Sequence, residues 1–289
     1  MRISNEYMSN NLLKNLNNNK EDLNEYNNQL STGKKFDSPS DDPTGVAKSM
    51  DLGATIGQNE QQLSNVEEGL AWSKATDSAM EQGGKVLQRS RELAMRGAND
   101  SLSQEDRNAL AAEVDQLREN LLEVANSQHN DRYLFAGQKT KIKLFADVDG
   151  DYRGGQGEIN REIANGTKLG INTTGGFFSS ALDSLGNLSD DLKAGNTDEI
   201  SNQRLGELDK NINTLLEKRA ENGARQKRME MTKNRLEEDK IKFEKLLSQN
   251  EDVDIAKTIM DLKMSENVYR AALSSGSRII QPSLVDFIK

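Results

Sequence analysis

Several residue types that support common chemistry are scarce or absent in this chain of 289 residues. It has no cysteine and a single histidine, which excludes disulfides, thiol nucleophiles and metal sites built from thiolates or several imidazoles. Aromatic residues make up 4% of the chain and hydrophobic residues 34%, too few for one large globular core. Because only three prolines interrupt the chain, this composition favours long, narrow helical packing.

The charge and the lack of long apolar runs exclude two classes of partner. A net charge of -9 repels nucleic acid and anionic membrane surfaces, so neither is expected to bind. The sequence contains no apolar stretch long enough for a transmembrane helix, and its start lacks the apolar run of a signal peptide. If the protein leaves the cytoplasm, we expect an export route that needs no cleavable signal peptide.

Apolar residues alternate at spacings of three and four along two long segments, 47–97 and 198–249, which predicts a coiled-coil-like helical pair. Asn222 interrupts the second segment at a seam position, where it would help to fix the register. The ends of the chain differ. Residues 1–30 carry a thin apolar stripe among ten asparagines and should be ordered only when packed, whereas 253–280 are apolar over a wide arc and require several neighbours.

A different pattern occupies residues 133–176. Glycine becomes frequent, Lys141-Ile142-Lys143-Leu144 alternates in polarity, and Asp149-Gly150 and Asn165-Gly166 are typical of hairpin turns. We therefore predict a mainly α fold: a long antiparallel helical rod, built from the two halves of the chain, with a small β-rich insert. The predicted domains are terminal helices in 1–32 and 250–289, a rod in 33–132 and 177–249, and the insert in 133–176.

The segment LSTGKKFDSPSDDPTG, residues 30–45, separates the first two helices. Gly33 suits the left-handed residue that ends a helix, and Asp41 or Asp42 can cap the next helix with Pro43 in its first turn. Taken with the following Val46-Ala47, this segment resembles the junction of the flagellin superfamily. Its DDP form is similar to that of hook-associated members, whereas flagellins commonly read DDA. The similarity continues through RSRELAMRGAND and its continuation at 89–117, DRYLFAGQKT at 131–140, 152–175, 219–239 and 250–289.

That resemblance implies a structural, non-enzymatic protein with no cofactor and no metal. It implies an inner assembly domain of paired terminal helices, export through the flagellar type III apparatus with a chaperone, and an extracellular place in the flagellum. The implied role is an adaptor between hook and filament. Its partners would be copies of itself in a ring, another hook-associated protein on the hook side and flagellin on the filament side. A flagellin filament subunit and a secreted coiled-coil effector are the alternatives.

The predicted assembly interface combines the apolar positions of the terminal helices with the charged helix break, residues 30–45. Its members are Leu13, Leu16, Leu23, Leu30, Lys34, Asp41, Asp42, Pro43, Ile255, Ile259, Leu262, Tyr269 and Leu273. The simpler interpretation of the break is a solvated loop with good helix caps.

Three other features have a sharper and a simpler interpretation. Asp147, Asp149, Asp151 and Glu158 follow the spacing of a calcium loop, but Tyr152 stands where that loop requires glycine, which favours a turn. His129 could act as a pH switch, although a polar residue at a helix end is the simpler interpretation. Trp72 is interpreted as a packing anchor.

Overall fold

A computed structural model describes residues 2–280 of the chain, with side-chain environments described from Tyr7 to Ser277. Residues 281–289 of the predicted terminal segment lie outside the described part. The protein is mainly helical, as predicted. Its helices are α1 (Arg2–Thr32), α2 (Pro43–Gly97), α3 (Gln104–Ala125), α4 (Phe177–Ala194), the short α5 (Thr197–Glu199), a π-helical turn (Ile200–Arg204), α6 (Leu205–Glu251) and α7 (Ile255–Ile280). Within residues 2–280, none of the helices has both the length and the apolar composition needed to cross a membrane.

Two small antiparallel sheets lie between α3 and α4. Strands β1 (Gln128–His129) and β2 (Arg132–Tyr133) pair with His129 opposite Arg132. Strands β3 (Asn160–Ala164) and β4 (Thr167–Gly170) form a hairpin with a bulge between Glu162 and Ala164. The turn between β3 and β4 is Asn165-Gly166, as the sequence predicted, and Gly166 adopts a φ of +69°.

The described residues form two compact units, one within Met1–Gln58 and Lys240–Lys289 and the other within Asn59–Asp239. In the first unit, α1 packs along α7. The two helices are antiparallel, because Gly276 near the end of α7 lies against Leu12 near the start of α1. At the opposite end, the backbones of Lys34 and Asp252 form an isolated antiparallel β-bridge.

In the second unit, parts of α2 and α6 run antiparallel and α3 packs on α4. Apolar side chains of both helices are buried here, among them Val66, Met80 and Leu87 on α2 and Leu208, Leu215 and Met229 on α6. Asn222 is fully buried and forms a two-way contact with Ser73: its Nδ2 donates to the Ser73 carbonyl (2.9 Å) and its Oδ1 accepts from the Ser73 hydroxyl (2.6 Å). These two bonds join α6 to α2 at this position.

Helix α3 begins with a side-chain cap. Ser103 Oγ accepts from the backbone N–H of Asp106 at 3.1 Å and donates to the Asp106 carboxylate at 2.6 Å. The Ser103 cap satisfies one of the free N–H groups at the start of the helix.

The prediction that strands flank Asp149-Gly150 is wrong. Residues 141–150 form turns and irregular structure, with the Gly150 N–H bonded to the Asp147 carbonyl at 3.3 Å. The side chain of Asn126 replaces a strand partner, because its Oδ1 accepts from the backbone N–H groups of Leu144 (3.0 Å) and Phe145 (3.2 Å). Packed rings complete this region: the buried Phe135 and Phe178 lie 5.0 Å apart between centroids, and the buried Phe145 lies 5.8 Å from the half-buried Tyr152.

Candidate assembly interface

The segment that follows α1 lies beside the connection between α6 and α7. Gly33 ends α1 with a φ of +74°, and its carbonyl accepts from the Val253 N–H at 2.9 Å. The Lys35 N–H donates to the Glu251 carbonyl at 2.7 Å. These backbone hydrogen bonds hold the end of α1 against the α6–α7 connection, so both connections of the terminal helix pair are anchored at one place.

The lysine side chains of the break are engaged within the chain. Lys34 Nζ lies 3.2 Å from the Glu251 carboxylate. Lys35 Nζ donates to the Gln249 carbonyl at 2.8 Å, in the last turn of α6. A cation in this position satisfies free carbonyls and complements the negative end of the helix dipole. The structure therefore assigns Lys34 and Lys35 a role in joining elements of their own chain.

The two aspartates of the break have separate local tasks. Asp42 caps α2, with its Oδ1 accepting from the N–H groups of Thr44 (3.1 Å) and Gly45 (2.9 Å), and Pro43 is the first residue of the helix. Asp41 Oδ2 accepts from the N–H groups of Ser38 (2.9 Å) and Asp37 (3.2 Å). These backbone bonds, that of Ser38 above all, lower the pKa of the exposed Asp41 carboxyl, so it stays charged.

One face of α1 is half-buried at regular intervals. Its positions alternate at three and four residues and are Ser9, Leu12, Leu16, Asn19, Leu23, Tyr26, Leu30 and Gly33. Tyr26 lies near Asp261 of α7; burial raises the pKa of its phenol, and the charges of Asp261, Asp22 and Glu25 add to the effect. The heptad spacing of this face is that of a helix packed along one partner.

The matching face of α7 is built largely from small residues. It consists of Thr258, Leu262, Ser265, Tyr269, Ala272 and Gly276 at the same alternation of four and three. A Cβ at Gly276 would overlap the side chain of Leu12, so glycine permits the close approach of the two helices at this point.

The opposite face of α7 is apolar and has no covering element among the described residues. Met260 and Met264 are each 65% exposed, and the side chains of Ile255, Ile259, Val268 and Leu273 are also exposed. Ile259, Met260, Met264, Val268 and Ala271, with Lys263 and Asn267, line a groove of about 610 Å³. We call the surface formed by these seven groove residues the outer face of α7. Apolar surface of this kind marks an interaction site.

The predicted interface residues of the two terminal helices thus fall into two groups. Leu16, Leu23, Leu30, Leu262 and Tyr269 are half-buried on the two faces that lie along each other, whereas Leu13, Ile255, Ile259 and Leu273 are exposed.

Sequence reasoning omitted Met260, Met264 and Val268 from the interface, although they form much of the outer face. It also chose Leu13 where the structure places Leu12 against α7. A helical projection that compares both sides of α7 would have found the three omitted residues.

The described side chains contain no group of three or more His, Asp or Glu residues arranged to hold a metal ion. Asp149, one of the carboxylates in the calcium-like spacing, pairs with Arg118 at 2.6 Å. That ion pair and the turn at Gly150 account for this part of the acidic segment by contacts within the chain.

Comparison with solved structures shows a shared fold. Bacillus cereus FlgL superposes with a TM-score of 0.62 at 22% identity, covering 68% of this chain and 99% of that chain. The flagellar junction protein FlgL from Legionella pneumophila gives a TM-score of 0.59 at 14% identity, covering 72% of this chain and 100% of that chain.

Sequence comparison agrees with the structural one. Flagellar hook-associated protein 3 of Escherichia coli (strain K12) is 32% identical over 182 residues, which are 61% of this chain and 56% of that protein. The chain thus spans little more than half the length of this curated relative. The family model for the bacterial flagellin N-terminal helical region matches residues 3–140, and that for the bacterial flagellin C-terminal helical region matches residues 205–288. Since the two models together cover more than half of the sequence, in the expected order, this chain belongs to the flagellin superfamily.

Proposed function

We propose that this protein is a structural adaptor of the bacterial flagellum that joins the hook to the flagellin filament. The observation that carries the proposal is the outer face of α7, an apolar surface left over after α7 has packed on α1. A helix that is apolar on two sides requires a second neighbour. The names of the similar proteins, hook-associated protein 3 and flagellar junction protein, support the location.

Copies of the chain would supply that neighbour. In the proposed assembly, α1 and α7 form an inner domain, and the outer face of α7 packs against the terminal helices of adjacent copies in a ring. Burying one large apolar side chain contributes roughly 1.5–3 kcal/mol. Ordering one residue of backbone costs about 1–2 kcal/mol. An isolated α1 and α7 pair with one buried face would thus be close to balance, and ring formation would add burial without ordering further residues.

The remaining regions would have distinct places in the assembly. The antiparallel parts of α2 and α6 would form the rod domain, and 133–176 would form its small insert. Another hook-associated protein would contact one end of the ring and flagellin the other. We further propose that the chain reaches the flagellum through the flagellar export apparatus, with a chaperone covering its terminal helices beforehand. No catalytic step is part of this role.

A filament subunit is the second candidate, favoured by the match to the flagellin family models. Flagellin would assemble through the same terminal helices. It differs in copy number, because a filament contains far more subunits than a junction.

Deletion of the gene in the source bacterium tests the proposal. We expect hooks without filaments by electron microscopy, and the bulk filament protein free in the culture medium by immunoblotting. Loss of the bulk filament protein itself would show that the chain is flagellin. Normal filaments and swimming would reject both functions and favour a secreted effector.

A further inference from the structure

The sulfur chemistry of this chain belongs entirely to methionine, because the sequence has nine methionines and no cysteine. Oxidation of a thioether by a dissolved oxidant depends on its exposure. Met80 and Met229 are fully buried, whereas Met260 and Met264 of α7 are each 65% exposed. The last two are therefore open to an oxidant in the free protein.

Met260 and Met264 lie one turn apart on the same side of α7. Both line the groove that defines the outer face of α7, and they are two of its five apolar residues. The other two groove residues are Lys263 and Asn267, and the Lys263 ammonium lies 3.0 Å from the Glu266 carboxylate. The apolar character of this face thus depends largely on two thioethers.

Hydrogen peroxide converts a thioether to a sulfoxide in one step. The O–O bond of the peroxide breaks, an S–O bond forms, and the second oxygen leaves as water after it takes the proton of the first. The sulfur is oxidised by two electrons and the peroxide is reduced by two. Methionine sulfoxide is polar, and this change is known to disrupt interfaces that are rich in methionine. The side-chain donors in the groove are Lys263 and Asn267, so a sulfoxide covered by another apolar surface would have few hydrogen-bond partners.

We propose that Met260 and Met264 form an oxidation site that switches the outer face of α7 from apolar to polar, so that peroxide keeps the free protein from assembling. The consequence for assembly rests on the proposed function, whereas the change of the face itself does not. Methionine sulfoxide reductases return the sulfoxide to the thioether, so the switch is reversible.

Peroxide treatment of the purified full-length protein tests the oxidation site. Peptide mass spectrometry should find one added oxygen at Met260 and at Met264, and none at the buried Met80 and Met229. The fluorescence of ANS, a dye that binds exposed apolar surface, should fall about twofold or more, and a methionine sulfoxide reductase with dithiothreitol should restore it. Circular dichroism checks that the helices remain. Unchanged ANS fluorescence in protein oxidised at both positions would overturn the proposal.

Two double variants make this test specific. Met260→Leu with Met264→Leu keeps the face apolar and removes both sulfurs, so its ANS fluorescence should survive the same treatment. The matched control is Met50→Leu with Met231→Leu, at positions of α2 and α6 that are 70% and 59% exposed and lie outside the groove. The control should lose ANS fluorescence as the wild type does. An equal loss in the Met260→Leu with Met264→Leu variant would contradict the assignment of the site.

Regrowth of flagella in the source bacterium tests the consequence for assembly. Cells that carry the wild-type gene or either double variant are sheared and regrow their flagella with and without sublethal peroxide. Immunoblots should show that peroxide moves the wild type and the control from flagella to the medium, and leaves the Met260→Leu with Met264→Leu variant in flagella. The same response of all three proteins would contradict the switch. If none of the three is found in flagella without peroxide, the proposed function fails, while the mass and ANS results still decide whether the oxidation site exists.

Discussion

Replacement of Asp191 by asparagine should weaken the second unit in a way that depends on pH. Asp191 lies near the end of α4, and its side chain is only 10% exposed. Its Oδ2 accepts from Arg204 Nε at 2.7 Å and its Oδ1 from Asn196 Nδ2 at 3.1 Å. These bonds join α4 to the π-helical turn that precedes α6. Burial by itself raises the pKa of Asp191, but the bonds and charge from Arg204 and the bond from Asn196 outweigh it, so the pKa lies below its ordinary value.

The loss of unfolding free energy depends on the partners that Arg204 keeps after the substitution. Removing one member of a buried ion pair costs about 3–5 kcal/mol when the other charge is left alone. Here Arg204 keeps Glu207 as a partner at 3.0 Å, so the loss should be nearer that of a hydrogen bond to a charged group, about 1.5–3 kcal/mol. A lowered native pKa stabilises the protein above the unfolded pKa of about 3.9, and this contribution disappears as the pH falls through the native value.

Urea unfolding followed by Trp72 emission measures this difference, since Trp72 and Asp191 belong to the same unit. Asp191→Asn should lower the unfolding free energy at pH 7 and at pH 5, and the difference from the wild type should shrink below about pH 3.9. Asp190→Asn is the matched control, because Asp190 is the adjacent residue and its side chain is exposed. Equal losses for the two variants, or a loss that is the same at every pH, would refute the reasoning.

Two further predictions concern backbone space and a buried polar contact. Gly137→Ala should destabilise the protein by more than the roughly 1–2 kcal/mol that a left-handed non-glycine residue costs, because its Cβ would also overlap the Gly155 carbonyl. At Gly166, which is also left-handed, an added Cβ has no close neighbour, so Gly166→Ala should cost only the energy of the backbone conformation. Thermal unfolding compares the two variants. Asn222→Leu should cost about 1–3 kcal/mol by leaving the Ser73 hydroxyl unpaired, and adding Ser73→Ala should return part of that loss in urea unfolding. A double variant no more stable than Asn222→Leu would contradict this pairing.

The helices were predictable because their signals are local. Spacing of apolar residues located the long helices, and Gly33 and Asp42 with Pro43 marked helix ends that the structure confirms. Each of these effects acts within one or two turns of chain. The order of these elements along the chain could therefore be predicted from the sequence.

The insert could not be predicted in the same way. Lys141 to Leu144 alternates in polarity like a strand, but a strand also needs a partner for its backbone. The Asn126 side chain takes that place at Leu144 and Phe145. A contact between residues 18 positions apart in sequence, through one side chain, leaves no periodic signal.

The side of each terminal helix that packs within the chain could not be predicted from the sequence, for a reason of geometry. Leu12 and Leu13 are equally apolar neighbours, yet Leu12 lies against Gly276 and Leu13 is exposed. Lys34, a predicted interface residue, pairs with Glu251 of its own chain. Both outcomes depend on which partner helix lies alongside, and that information is absent from the spacing of either helix alone.

The outer face of α7 tests the central claim most directly. Ile259→Ser with Met264→Ser would remove burial of about 3–6 kcal/mol per subunit if this face packs on a neighbour. The control is Lys257→Ser with Arg270→Ser, at exposed positions of α7 outside the groove. Each variant replaces the native gene, and immunoblots of sheared flagella and of the medium locate the protein. We predict that the apolar variant keeps its helix content but appears in the medium with unassembled flagellin, while the control is found in flagella. Normal filaments that contain the apolar variant would contradict the account.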